Sequence, residues 1–180
     1  MTNNTLTNYE ICIKPVGIVK NDLLAPPLVV GADGLQHNQA CTSAMRDMTE
    51  TDVRISEIIL DEEFSELLEG VEEYSHIMIL YWGHEVTDSG RAMKITHPAG
   101  LTNYPKQGVY ATYSPARPNP VLMTVVKLVK KEEKRLYVSG LDAINNSPVL
   151  DIKPYVPVLF PQEGVIIPDW MKKIMSEFHS

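Results

Sequence analysis

Few of the side chains able to do chemistry in this 180-residue chain stand at a spacing that dictates which chemistry. Asp142 and Asp151 form a pair of carboxylates that could serve as acid and base. His76, His84 and His97 raise the question of a metal. His76 and His84, however, flank an apolar run, and no Cys or carboxylate stands at ligand spacing, so at least two of the three read as structural and no metal is expected. His84 with Glu85, just past the end of that run, is placed to line a pocket. No Ser occupies a nucleophile elbow, no glycine-rich dinucleotide fingerprint follows a strand-like segment, and neither Cys12 nor Cys41 has a base beside it. The densest constellation is Ser114-Pro115-Ala116-Arg117-Pro118-Asn119-Pro120. Its prolines freeze the backbone around Arg117 and Asn119, which lowers the entropy lost when those side chains engage a ligand. Arg117 offers a rigid donor fork for a carboxylate or phosphate; alternatively it ties its loop to a nearby acid such as Asp151.

The elements that must hold these groups are mostly strands. Residues 9–19, 53–60, 74–82, 108–113, 121–129, 136–140 and 149–152 are short, rich in apolar and β-branched residues, and bounded by turn formers. The charged run 130–135 joins two of them as a hairpin, and the proline loop 114–120 cannot be helix or central strand. Residues 61–69 read as a helix with acids in its first turn and Gly70 as its stop. Residues 25–50 read as a long loop, although Asp33-Gly34 is a turn signal, and 85–107 as irregular chain. In the tail, Trp170, Met171, Ile174 and Phe178 share one face of a helix that packs on the rest or meets a partner. This order predicts a mainly β fold, a single sheet closed into a barrel with one or two short helices and a C-terminal helix. The expected organisation is a barrel domain over 9–158 and a tail over 159–180.

Composition bounds the function. Apolar residues make up 44% and charged residues 22%, which supports a packed core and excludes a disordered tail, a collagen-like fibre or a coiled-coil rod. No apolar run reaches the roughly 18 residues of a membrane span, and the polar N-terminus lacks the order of a signal peptide. Two cysteines do not make a disulfide scaffold, so a reducing cytoplasm is expected. Residues 1–90 hold 4 Lys/Arg against 16 Asp/Glu, and residues 91–180 hold 12 against 7. A chain with net charge −7 does not grip nucleic acid over its whole surface, but one basic face remains possible. Lys127, Lys130, Lys131, Lys134 and Arg135 gather on the hairpin, with Lys106 and Arg117 as further cations and Glu132 and Glu133 offsetting two charges.

The stretch Gly108-Val109-Tyr110-Ala111-Thr112-Tyr113-Ser114-Pro115-Ala116-Arg117-Pro118-Asn119-Pro120-Val121 resembles the signature "GVFATRSPxRPNPI". Gly140-Leu141-Asp142 and Ser147-Pro148-Val149-Leu150-Asp151-Ile152-Lys153-Pro154-Tyr155 resemble "G-x-D…DGTPVLDIKPY". Pro15-Val16-Gly17-Ile18-Val19 and Tyr74-Ser75-His76-Ile77 are similar to "PIGVI" and "FSHI". Together these resemble the TsaA-like (TrmO/VirR) family across residues 9–158. The resemblance implies a dimeric β-barrel that binds S-adenosylmethionine near the subunit boundary and methylates N6 of threonylcarbamoyladenosine 37 in tRNA. Carried over by position, His84, Glu85, Met123, Leu141 and Asp142 would line the cofactor pocket. Arg117, Asn119, Lys153 and Tyr155 would contact substrate, and Asp142 or Asp151 would be the catalytic base.

The departures are as informative. The motif's "PRQ" is replaced by Ala25-Pro26-Pro27-Leu28; its arginines fall on Tyr113 and Ala99; Ala116 precedes Arg117; Leu122 follows Val121 where the motif has Gly; "DGT" is Asn145-Asn146-Ser147. Three functions follow: a tRNA methyltransferase in a homodimer, a methyltransferase of the same fold acting on a small molecule, or a non-enzymatic barrel that binds a ligand or partner. The lost arginines favour the second and Asn145 the third.

Overall fold

The computed structural model describes residues 10–31, 34–38 and 54–178. In chain order its strands are β1 (Gly17–Lys20), β2 (Leu28–Gly31), β3 (Gly34–His37), β4 (Ile55–Leu60), β5 (His76–Trp82), β6 (Ile95–Thr96), β7 (Gln107–Gly108), β8 (Val121–Glu132), β9 (Arg135–Ser139) and β10 (Pro148–Pro154). Among the described residues the α-helices are α1 (Asp88–Arg91) and α2 (Asp169–Phe178).

Six strands close into one antiparallel barrel in the order β1, β10, β5, β8, β9, β4 and back to β1, which is the closed single sheet the sequence predicts. Alternation explains the closure. On β5, Ile77, Ile79 and Tyr81 face inward; Val126 on β8, Leu136 and Val138 on β9, Ile58 and Leu60 on β4, Val19 on β1 and Val149 on β10 meet them. Each such side chain, fully buried, contributes about 1.5–3 kcal/mol. Gly17 is required where β1 crosses β4, because a Cβ there would collide with the Ile59 carbonyl. Beside the barrel, the β2–β3 hairpin and the β6–β7 pair form a small lobe, joined where the Leu35 amide donates to Thr96 Oγ1 at 3.2 Å.

Several element boundaries differ from the expected ones. Strand geometry starts at Gly17; residues 10–16 are irregular, and Pro15 supplies no donor there. Tyr9, Asp33 of the expected turn and residues 39–53 lie outside the described residues, but part of the expected 25–50 loop is the β2–β3 hairpin, with Gly31 paired to Gly34. The expected helix over 61–69 is a 3₁₀ helix, Glu62–Leu68; Asp61 makes no side-chain cap and Leu68 is its one buried residue. The strand expected over 108–113 shrinks to Gln107–Gly108 and then turns through a 3₁₀ turn, Val109–Ala111, because its one deeply buried apolar residue is Val109. The irregular 85–107 stretch carries α1 and β6. The hairpin is longer and tighter than expected: β8 runs to Glu132 and β9 starts at Arg135, leaving Glu133 and Lys134 as the turn. No Gly or Pro interrupts the charged run, so both strands continue through it.

The tail helix forms as expected. Ile174 is buried, Trp170 and Met171 are half-buried, and Tyr104 Oη donates to Glu177 Oε1 at 2.7 Å, tying α2 to the lobe.

Candidate functional site

One end of the barrel is closed by the loop 140–147. Gly140 leaves β9 at φ 88°, a conformation glycine adopts without strain. Leu141 and Ala143 then plug the core at 1% and 0% exposure, with Asp142 exposed between them. Asn21 pins the plug, its Nδ2 donating to the Ala143 carbonyl at 2.8 Å and to Ser56 Oγ at 3.1 Å. The departures at "DGT" are structural here. Asn145 Oδ1 accepts from the Asn21 amide at 3.2 Å, and Asn146 Oδ1 accepts from Lys20 Nζ at 2.6 Å. Asn146 sits at φ 67°, where the motif's Gly would sit and where Asn is tolerated better than most side chains.

Asp142 reaches over the inner wall. Its Oδ1 accepts from Tyr81 Oη at 2.9 Å and also from Thr124 Oγ1, while Oδ2 has no partner among the described residues. Burial, then the Asp142 charge, pushes the Tyr81 hydroxyl well above its ordinary value, so it stays protonated and keeps donating. The half-buried His84 lies against the same loop, its Nδ1 3.4 Å from the Oγ of buried Ser147. The structure thus brings Asp142, Leu141 and His84 to one mouth of the barrel, with Glu85 next along the chain and exposed. Tyr81 and Thr124, which orient Asp142, carry no sequence signal beyond a polar tip at an inward register of an apolar strand.

The other expected site residues lie elsewhere. Leu80 faces outward, and pairing places Met123 and Asp151 on either side of it, so Met123–Leu80–Asp151 form one row on the outer wall and Val125–Met78–Lys153 the next. Asp151 is fully engaged: Oδ1 accepts from the Ile152 amide at 2.9 Å and Oδ2 pairs with Lys153 at 2.5 Å. Arg117 does not tie its loop to Asp151. Its Nε donates to the Ser114 carbonyl and its Nη2 to the Thr112 carbonyl, each at 2.8 Å. The Asn119 side chain is exposed, and Tyr155 stacks on Phe160 with ring centroids 5.4 Å apart. His76 Nδ1 lies 2.9 Å from Ser75 Oγ, and His97 Nδ1 lies 2.8 Å from the Tyr104 carbonyl. Among the described residues no three potential ligands gather around a metal position.

The basic hairpin is neutralised by the fold. Lys131 pairs with Glu72 at 2.8 Å, Lys134 with Glu62 at 2.7 Å, Lys130 with Glu132, and Arg135 with Glu57. Of the five hairpin cations the sequence offers to a nucleic acid, four are therefore held by carboxylates, three of them from residues 57–72. Among the described residues, no helix is long and apolar enough to cross a membrane.

Comparison with known proteins adds an independent line. The profile of the family described as the tRNA-methyltransferase O N-terminal domain matches residues 41–159. A probable S-adenosyl-L-methionine-binding protein of Pyrococcus abyssi is 34% identical over 163 residues, 91% of this chain and 77% of that one. A tRNA (adenine(37)-N6)-methyltransferase of Mus musculus is 44% identical over 89 residues, which span 49% of this chain and 20% of the mouse protein. A crystal structure of TrmO from P. aeruginosa superimposes with a TM-score of 0.64 at 24% identity, covering 92% of this chain and 63% of that one. That likeness speaks to the fold, and this chain spans less than two thirds of the solved one.

Proposed function

Because the chain belongs to the tRNA-methyltransferase O N-terminal domain family, we propose that it binds S-adenosylmethionine at the barrel mouth and transfers the methyl group to N6 of adenine 37 in tRNA. The observation that carries this reading is the Asp142 carboxylate, with Oδ1 fixed by two hydroxyls and Oδ2 exposed and unpartnered among the described residues. That donor set suits the group. A carboxylate oxygen with free lone pairs accepts from ribose hydroxyls or from an ammonium, and a hydrogen bond to a charged group is worth about 1.5–3 kcal/mol net. His84 supplies a second polar contact from the same mouth, with Leu141 as apolar floor and Glu85 at the rim.

When bound, S-adenosylmethionine supplies a methyl group on a sulfonium, whose transfer needs an in-line nucleophile held in place. An amino nitrogen conjugated with a purine is a weak nucleophile until it sheds a proton. Asp142 is also the one member of the expected carboxylate pair with an oxygen free to accept it; Asp151 orders β10 instead. Tyr81 keeps its own proton and acts as a positioning residue. Arg117 braces the proline loop, which leaves the exposed Asn119 amide as that loop's contact for substrate. The working unit in this reading is a cytoplasmic homodimer joined through the outer wall of β5 and β8, where Val121, Met123 and Val125 are exposed.

Calorimetric titration of S-adenosylmethionine into the protein tests the site. Wild type is expected to bind and Asp142→Ala to bind about ten- to 150-fold more weakly, as the loss of one charge-assisted bond requires. Equal affinities would remove Asp142 from the site.

A further inference from the structure

With the hairpin neutralised, a polyanion must be met elsewhere. The sequence holds no Asp or Glu between Asp88 and Glu132. Within the first part of that span Arg91, Lys94, Lys106 and Arg117 are all cationic, and among the described residues none of the four pairs with a carboxylate. In a chain of net charge −7 this span carries positive charge with no acid of its own, and α2 brings Glu177 to it at Tyr104.

Two aromatic rings stand on it. Tyr110 and Tyr113 are 80% and 86% exposed and contribute almost nothing to the core. Their loop is nonetheless tightly held. The Val109 amide donates to the Lys94 carbonyl at 3.0 Å, placing Tyr110 beside the backbone of Lys94. Thr112 Oγ1 donates to the Val109 carbonyl at 2.9 Å and accepts from the Ser114 amide at 3.2 Å. Arg117 grips the carbonyls on either side of Tyr113. Rings presented on a braced loop lose little further entropy when they stack on a ligand.

We propose that this face, formed by Tyr110 and Tyr113 with Lys94 and Lys106, is the RNA-docking surface: the two tyrosines stack on unpaired bases and the lysines meet phosphates. Cations without carboxylate partners beside exposed aromatic rings are what single-stranded RNA recognition uses. A second copy of the chain fits less well, since a self-complementary contact would set two positive faces against each other. The inference rests on the tRNA reading above and assigns its surface.

The test is tRNA binding by fluorescence anisotropy at low salt, with S-adenosylmethionine calorimetry and light scattering on the same preparations. Tyr110→Ala and Tyr113→Ala are each expected to weaken tRNA binding by about five- to 150-fold, the range of one lost base stack, while Tyr110→Phe and Tyr113→Phe retain it. Lys94→Gln with Lys106→Gln should lower the slope of log affinity against log salt by about 1.4, two single-strand phosphate contacts. Cofactor affinity should be unchanged in all of them, and Lys130→Gln with Lys131→Gln should leave tRNA affinity near wild type. Tyrosine-to-alanine variants that bind tRNA like wild type overturn this surface and leave the tRNA reading standing. Variants that alter the oligomeric state and not tRNA affinity make the face an interface between copies, which also overturns it. A wild-type protein that binds cofactor but no tRNA overturns both.

Discussion

Tyr81→Phe separates positioning from packing at the barrel mouth. The ring is 4% exposed and sits in the core beside Ile79, so phenylalanine keeps the packing and removes one hydroxyl. That hydroxyl donates to Asp142 Oδ1 and is also in hydrogen-bond contact with Thr124, which keeps its own bond to Oδ1, and Asp142 is exposed, so water can replace the hydroxyl on the acceptor side. The net loss of stability is then about 0.5–1.5 kcal/mol, a shift of the melting temperature by a few degrees for a chain of this size. The effect on binding is distinct. Thr124 remains as the single brace on Oδ1, and the carboxylate regains rotamer freedom that a ligand must remove again. That ordering amounts to about 0.5–1.5 kcal/mol, or roughly a two- to twelvefold rise in the Kd for S-adenosylmethionine. Calorimetry gives the Kd and thermal unfolding gives the stability, both at pH 7, where wild-type Tyr81 is protonated throughout because its pKa is raised. The reasoning fails if Tyr81→Phe binds cofactor like wild type while Asp142→Ala does not, since Asp142 would then need no orienting. It fails equally if Tyr81→Phe in the Asp142→Ala background still weakens binding, since the hydroxyl would act independently of the carboxylate.

Other expectations concern the surroundings. Asp151→Ala should leave cofactor affinity within about twofold of wild type, because both its oxygens serve β10 and Lys153 on the outer wall, and an exposed pair of this kind is worth little; a loss as large as that of Asp142→Ala would place Asp151 in the site. Glu133 occupies the β8–β9 turn at φ 48°, so Glu133→Gly should raise stability by about 0.5–1 kcal/mol in urea unfolding; a drop would mean the turn is not strained there. Glu72 and Glu132 are held below their ordinary value of 4.5, Glu72 by its hydrogen bond to Lys131 and Glu132 by its hydrogen bond to Lys130. A depressed folded pKa gives stability that is present above about pH 4.5 and lost as pH falls through the folded value, so the melting temperature should drop on acidification below pH 4.5 and Glu72→Gln should reduce that drop. A melting temperature indifferent to both would show these pairs to be inert.

The parts of the fold legible in the sequence are those whose residues interact locally. The β8–β9 hairpin is written in two β-rich runs about a short charged segment, the buried β5 in an apolar run too short for a helix, and the amphipathic tail helix in its 3.6-residue period. Residues 108–113 look like a strand because Val, Tyr and Thr favour strands, yet within the segment only Gly108 finds a pairing partner and the chain turns away once Val109 is buried. The charge pattern misleads for a related reason. Glu132 is visible next to Lys130, but Glu57, Glu62 and Glu72 reach Arg135, Lys134 and Lys131 only because β4 pairs with β9 and the 3₁₀ segments pack nearby. At the site, motif resemblance brings His84 and Leu141-Asp142 to notice, and the fold places them together through Ser147. Tyr81 and Thr124 stay hidden, since an inward hydroxyl in a hydrophobic strand reads as packing until its partner is known. Asn145 and Asn146, which count in the sequence as lost catalytic chemistry, hold the loop that carries Asp142.

The most direct test of the whole account is methyl transfer itself. Purified protein is incubated with S-adenosylmethionine bearing a labelled methyl group and with tRNA from cells lacking the activity, and the tRNA is digested and read by mass spectrometry. The account predicts label on N6 of the adenosine at position 37, lost with Asp142→Ala and with Asp142→Asn and retained with Asp151→Ala. A protein that binds the cofactor yet leaves position 37 unlabelled, or that places the label on another nucleotide, would contradict it.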